Sequence, residues 1–261
     1  KGVVPQTVIV SFYVGAAILV ITSALTIFKV KEYDPETYAR YHGIDARANH
    51  EKVSWIDLLK QAPKAFWTVA LVQFFCWFAF QYMWTYSAGA IAENVWQTTD
   101  ASSSGYQAAG NWYGVLAAVQ SIAAVVCSYV LAKVPNQYHK AGYFTSLALG
   151  ALGFFSIFFV TDQYVLVGSY ILIGIAWAGI LTYPLTIVTN ALSGKHMGTY
   201  LGLFNGSICI PQIIASLLSF GLYPLLGGQQ ANMFLAGGIA LLLGACSVFF
   251  IKETHGKAPS A

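Results

Sequence analysis

TYLGLFNGSICIPQIIASLLSFGLYPLL, residues 199–226, is the stretch on which the rest of the chain turns. It carries no charged residue and exceeds the ~20 residues that a helix needs to cross a bilayer. Yet its middle holds Asn205, Pro211 and Gln212. Two amides and a helix breaker have no use in a span that only faces lipid.

Six further apolar runs flank it, over 3–28, 67–92, 111–131, 142–160, 164–192 and 232–251, and none contains Asp, Glu, Lys or Arg. An open sheet edge cannot be satisfied in hydrocarbon, so runs of this kind are helices. The reading is an all-α membrane protein with seven transmembrane helices. Composition agrees: 57% of the 261 residues are hydrophobic and 9% charged, against roughly 25% charged in soluble domains.

The basic residues set the orientation. Lys29, Lys31, Arg40, Arg47, Lys52, Lys60 and Lys64 fall in one loop, Lys133 and Lys140 in another, Lys195 in a third, and Lys252 and Lys257 in the tail. The alternate loops hold none, and only Lys1 lies on that other side. The positive-inside rule puts the rich side and the C-terminus in the cytoplasm. The net charge of +3 follows from this bias and implies no nucleic-acid partner. No secretory leader pattern is present. An odd number of spans, starting outside without Met, predicts that an upstream part of the same protein is missing.

Residues 1–30 read as a transmembrane helix, 31–66 as a cytoplasmic loop, 67–251 as a six-helix unit and 252–261 as a cytoplasmic tail. Within the loop, 31–50 reads as a polar linker, and 54–62 as a short interfacial helix capped by Ser54, with Trp55, Leu58 and Leu59 on one side. The 93–110 segment reads as an irregular connection, with Trp96, Tyr106 and Trp112 in the aromatic belt. Cys76, Cys127, Cys209 and Cys246 lie one per span without metal or disulfide spacing. His42 and His50 read as solvated. No metal and no cofactor are expected. Asn205-Gly206-Ser207 matches a glycosylation pattern, but at mid-membrane it cannot be modified.

Positions three and four apart share a helix face. Asn205, Cys209, Gln212, Ser216 and Ser219 therefore form one polar stripe. Gln73, Trp77, Gln81 and Trp84 form another that alternates amides with indoles. A third span offers Gln120, Ser121 and Ser128. A fourth offers Trp177, Tyr183, Thr186 and Asn190, with Pro184 loosening the helix. Such groups either bond helix to helix, for about 0.6 kcal/mol on average, or line a watery cavity. Gln81 and Gln212, at mid-depth with further polar groups on the same face, favour the cavity. Indoles stack on the C–H faces of a sugar ring, and amides both donate to and accept from its hydroxyls. Charged substrates call for charged partners, and the spans have none. Trp77, Gln81, Trp84, Gln120, Trp177, Tyr183, Asn205 and Gln212 are therefore the candidate substrate-binding residues. Gly198, Gly202, Gly206, Pro184 and Pro211 are candidates for helix packing or gating. An intramembrane enzyme would need a nucleophile with a base, or clustered metal ligands. The spans contain no His and no carboxylate, so no enzyme is expected.

GTYLGLFNGSICIPQ, 198–212, resembles the G-x-x-x-G-x-x-N-x-x-I-x-I-P-Q segment of plant sucrose transporters and their bacterial relatives, through Gly198, Gly202, Asn205, Ile208, Ile210, Pro211 and Gln212. The WF-x-F beginning at Trp77, and Gly89, match as well. These proteins form the sucrose-transporter-like, or glycoside–pentoside–hexuronide:cation symporter, branch of the major facilitator superfamily. The resemblance implies a twelve-helix carrier in two halves, of which this chain supplies the sixth helix, the central loop and the C-terminal six-helix half. It implies alternating-access symport of a neutral sugar, a disaccharide or glucoside, with a proton, in a bacterial inner membrane. Plant members carry acidic residues where Trp84 and Tyr86 stand, and the loop AKVPNQYHKAG is a reduced form of the family's basic motif. With no titratable group in these spans, the coupling acid is expected in the missing N-terminal half. The alternatives are a carrier of the same fold for a non-sugar solute, and a non-transporting scaffold or sensor.

Overall fold

A computed structural model describes residues 6–30, 33–42, 54–192 and 196–252. The chain divides into two compact units, Lys1–Lys52 and Val53–Ala261. Every regular element among the described residues is helical.

The first unit contains α1, Gln6–Lys29, and α2, Pro35–His42. Along α1, Thr22 and Thr26 turn their hydroxyls back onto the carbonyls of Ile18 and Thr22, the usual way a span accommodates threonine. The linker expected over 31–50 is partly helical. Asp34 accepts from the Thr37 amide at 2.9 Å and from its hydroxyl at 2.7 Å, an N-terminal capping arrangement. These bonds hold its carboxyl below the ordinary value. His50 lies outside the described residues.

The second unit is a helical bundle. It consists of α3 (Trp55–Gln61), α4 (Lys64–Val95), α5 (Ser104–Leu131), α6 (His139–Phe159), α7 (Val165–Ala191), α8 (Met197–Phe204), α9 (Gly206–Leu225) and α10 (Gln230–Ser247). With α8 and α9 counted as one span and α1 included, seven helices are long and apolar enough to cross a membrane, as expected from the sequence. Lys60, Lys64, Lys133, Lys140 and Lys252 gather at one end of the bundle helices, and Glu93, Asp100 and Asp162 at the other.

Close helix approach rests on small residues. A Cβ on Gly174 of α7 would stand 2.5 Å from the Gln120 carbonyl of α5, and one on Gly153 of α6 would stand 2.7 Å from the Ser169 carbonyl of α7. At the acidic end, neighbouring residues on α4 close two helix termini. Glu93 accepts from the Ala231 amide at 3.1 Å, at the start of α10. Asn94 donates to the Ile157 carbonyl at 2.8 Å, near the end of α6. These satisfy groups that a helix terminus leaves open.

Five expectations are revised. The irregular stretch within 93–110 shrinks to 96–103, because Ser103 caps α5 by accepting from the Tyr106 amide at 3.1 Å. Trp112 is tied down rather than only anchored in a belt, since its indole donates to the Gln163 carbonyl at 2.9 Å. Ser54 precedes α3 but makes no side-chain cap; its carbonyl takes the Asp57 and Leu58 amides. Leu58 is buried and its carbonyl accepts from the Tyr200 hydroxyl of α8 at 3.1 Å, while Trp55 is exposed. Finally, the 199–226 run is locally irregular at Asn205, which keeps helical backbone angles (φ −61°, ψ −21°) and its bond to the Leu201 carbonyl at 3.1 Å.

Candidate functional site

The site is built on α4. Its contact with α7 runs through Gln73, Phe80 and Ser87. The Gln73 amide donates to the Ile180 carbonyl at 3.4 Å, Phe80 meets Trp177 at 5.0 Å between ring centroids, and the Tyr170 hydroxyl donates to Ser87 at 2.9 Å. Its contact with α9 runs through Phe78, Tyr82 and Tyr86, which pack with Ala215, Leu222 and Tyr223. Each residue turns a helix by about 100°. Trp77, Gln81 and Trp84 therefore lie on the arc between these two contacts.

That arc is walled by indoles. Trp77, Trp84 and Trp177 meet pairwise, with centroids 6.1, 5.4 and 5.7 Å apart. Trp177 stands edge-on to both others, a favoured aromatic geometry. Trp77 is 8% exposed and Trp84 41%. The Trp77 Nε1–H is buried and has no hydrogen-bond partner. Gln81, next along the same arc, is half-buried, and its side chain bonds to none of the described residues.

On α9, Pro211 and Ala215 are buried and Gln212 is half-buried beside them. Three spans separate α4 from the α8–α9 span, so the two run the same way through the bundle. Gln81 precedes Tyr82 by about 100° of rotation, and Gln212 lies about 60° beyond Ala215. For parallel helices these offsets lie on the same side of the contact. By this geometry both amides face the same side of the α4–α9 contact, the side on which Trp77 and Trp84 also lie.

The rest of the predicted set is spread more widely. Gln120 is buried at the α5–α7 crossing. Asn205 is exposed at the α8–α9 junction, where its carbonyl accepts from the Ile208 and Cys209 amides. Ser216 and Ser219 spend their hydroxyls on the carbonyls of Gln212 and Ser216, so these two members of the stripe are satisfied within their own helix. Tyr183 is wholly buried, six residues or about 9 Å along α7 from Trp177, against Tyr143 and His139. Its ring contacts are with those two and with none of the three indoles.

Pro184 leaves α7 unbroken. A proline cannot donate to the carbonyl four residues back, and that carbonyl is Ile180, the acceptor of Gln73. Around Gly198 and Gly202 nothing lies within 4 Å of a would-be Cβ, and at Gly206 only Ile210 of the same helix does. No described residue uses these three glycines for close packing. Two residues of the site, Phe80 and Gln73, were not singled out as binding candidates. Gln73 sits one turn before Trp77 on a visible stripe; Phe80 carries no polar mark that distinguishes it from core. A second polar cleft lies at the acidic end, lined by Glu93, Asn94, Gln97, Thr98, Thr161 and Gln229.

Comparison with known families gives one result. A profile described as Major Facilitator Superfamily matches residues 7–216. No curated protein and no solved structure matches the chain.

Proposed function

We propose a reading that starts from one premise: the chain belongs to the major facilitator superfamily and is an integral, multi-pass membrane transporter. Its substrate is a neutral sugar, a disaccharide or glucoside, held in the groove between α4, α7 and α9 and moved by alternating access.

The observation that carries this reading is the buried, unpartnered Nε1–H of Trp77 in a three-indole wall. A donor in that position favours a ligand that brings an acceptor and an apolar ring face together. Sugars do both. Gln81 and Gln212 on the two flanks supply further donors and acceptors without formal charge. No Asp, Glu, Lys, Arg or His stands on these helices beside them, so a charged solute would find no counter-ion there.

We further propose that transport is proton symport, and that the coupling acid sits on a partner half that covers the groove. Glu93, the acidic residue of α4, is engaged at the start of α10. The basic end of the helices faces the cytoplasm, with the C-terminus, by the positive-inside rule. A sucrose-transporter-like, bacterial inner-membrane carrier fits the GTYLGLFNGSICIPQ segment.

The test is uptake of a panel of labelled mono- and disaccharides by the whole carrier in proteoliposomes, with Trp77→Phe alongside. Phe keeps a ring and removes the N–H. Losing one hydrogen bond, worth about 0.5–1.5 kcal/mol, raises KM roughly 2- to 12-fold for the true substrate. Uptake that no sugar competes with, or that Trp77→Phe leaves unchanged, would overturn the assignment and favour a non-sugar solute.

A further inference from the structure

At the acidic end, the last turn of α4 meets the end of α6 and the start of α10 around a cleft of about 360 Å³, a volume in the range of small-ligand pockets. Glu93 gives the lining its formal charge, and amides and threonines supply the rest. No basic and no aromatic residue lines it. Trp84 of the indole wall is nine residues back along α4, about 13.5 Å of helix.

What the lining has left to offer is oxygen. Asn94 gives its NH₂ to the Ile157 carbonyl at 2.8 Å, and Gln97 gives its own to the Asn94 carbonyl at 2.8 Å. A carbonyl only accepts, so both amides turn nitrogen to the backbone and keep their oxygens. Gln97 reaches back in this way from a left-handed backbone, φ 52°, uncommon for a residue with a Cβ. Glu93 accepts from the Ala231 amide through one oxygen, and the other bonds to none of the described residues. Glu93, Asn94 and Gln97 thus each keep one oxygen. Two helices, α4 and α6, end here, and such ends carry partial negative charge. The adjoining turns add Asp100 and Asp162 and no Lys or Arg.

This chemistry narrows the ligand. An anion finds no basic partner. A sugar needs donors, and two of the three lining amides have spent theirs. No group of three His, Cys, Asp or Glu that could hold a metal ion occurs among the described residues. A quaternary ammonium calls for aromatic faces, which the lining lacks. A primary ammonium brings one positive charge and three N–H donors, and three oxygens, one of them a carboxylate's, answer it.

We propose that Glu93, Asn94 and Gln97 bind a primary ammonium group at this end of the bundle, apart from the transport groove. The spans of α4 and α6 finish at Val95 and Phe159, so the cleft stands at headgroup depth. An ethanolamine lipid and a soluble amine both present the group there.

The experiment is the melting temperature of the whole carrier in detergent, titrated with ethanolamine, choline, phosphatidylethanolamine or phosphatidylcholine. A ligand of the folded state raises it by mass action. The ethanolamine member of a pair is expected to act at about tenfold lower concentration than its choline counterpart. If the soluble pair shows this, the source is a free amine; if only the lipid pair does, the source is a lipid headgroup. Glu93→Gln keeps an acceptor for the Ala231 amide and removes the charge, and should weaken the preferred ligand about tenfold or more. Gln97→Gly removes one oxygen and favours the left-handed backbone. Without ligand it should melt no lower than the parent, while the ligand weakens roughly 2- to 12-fold. No preference for ethanolamine over choline in either pair, or a preference that either variant leaves intact, overturns the proposal.

Discussion

Two helices of this bundle carry a proline deep in a membrane span, and they respond differently. On α7, Pro184 leaves the helix continuous, and the Ile180 carbonyl that it deprives of a partner takes the Gln73 amide from α4. On the α8–α9 span, Pro211 lies six residues after the irregular turn at Asn205. There the bonding is local: Ile208 and Cys209 both donate to the Asn205 carbonyl, and the Ser207 hydroxyl covers Phe204 at 2.6 Å. Half of the α7 window is buried, against 11% of the α8–α9 window. On α7 a neighbouring helix thus supplies the bond that the proline removes, whereas the local bonds around Asn205 involve other carbonyls than that of Ser207, four residues before Pro211. Under the alternating access proposed above, the two spans would serve as a rigid wall and a part that moves against it.

The largest effect that separates the two helices is steric. Gly174→Ala puts a methyl into the Gln120 backbone, where neither helix can shift without opening the α5–α7 crossing. Overpacking of this kind costs about 1–3 kcal/mol, read as a lower midpoint in denaturant or a lower melting temperature in detergent. A cost near zero would mean that α7 is not braced. Next is the tether between α8 and α3. Tyr200→Phe removes the bond from α8 to the Leu58 carbonyl of α3 and lowers stability by about 0.5–1.5 kcal/mol. Because the tether lies on the α8 side of Asn205, faster hydrogen exchange is expected in α3 and α8 and not in α9.

A smaller effect tests the brace itself. Pro184→Ala restores an amide that can reach the Ile180 carbonyl, and so competes with Gln73. In a double-mutant cycle with Gln73→Leu, the loss caused by Gln73→Leu should shrink in the Pro184→Ala background. The contact is long, at 3.4 Å, so a coupling of about 0.5 kcal/mol is expected, the low end for residues in contact. Additivity would show that Gln73 does not compensate the proline.

Much of this architecture was legible in the sequence. Uncharged runs of membrane length and the alternating basic loops give the helix count, because hydrocarbon leaves a span few choices. The indole cluster was legible too, since Trp77 and Trp84 are seven residues apart and so share a face. Three features were not. Tyr183 carries the same polar mark as Gln81, and only the structure shows it buried against Tyr143 and His139. The Asn205 irregularity depends on which carbonyls the neighbours satisfy, which no spacing rule reports. Gln73 reads as one more stripe residue until Pro184, far along the chain, is seen to leave a carbonyl for it.

The smallest expected effect reads the open side of the α8–α9 span. Gly202 sits inside α8 with nothing within 4 Å of a would-be Cβ. Alanine there meets no neighbour and regains the helix propensity that glycine gives up, at most about 1 kcal/mol. Gly202→Ala should therefore leave the melting temperature unchanged or slightly raised, in contrast to Gly174→Ala. Uptake is the more informative measurement. If another helix closes onto this face during the cycle, the methyl obstructs that approach, and the rate falls while stability holds. A loss of stability instead would mean that the face is already covered in the resting carrier, and α8 would then belong with the braced wall rather than with the moving part.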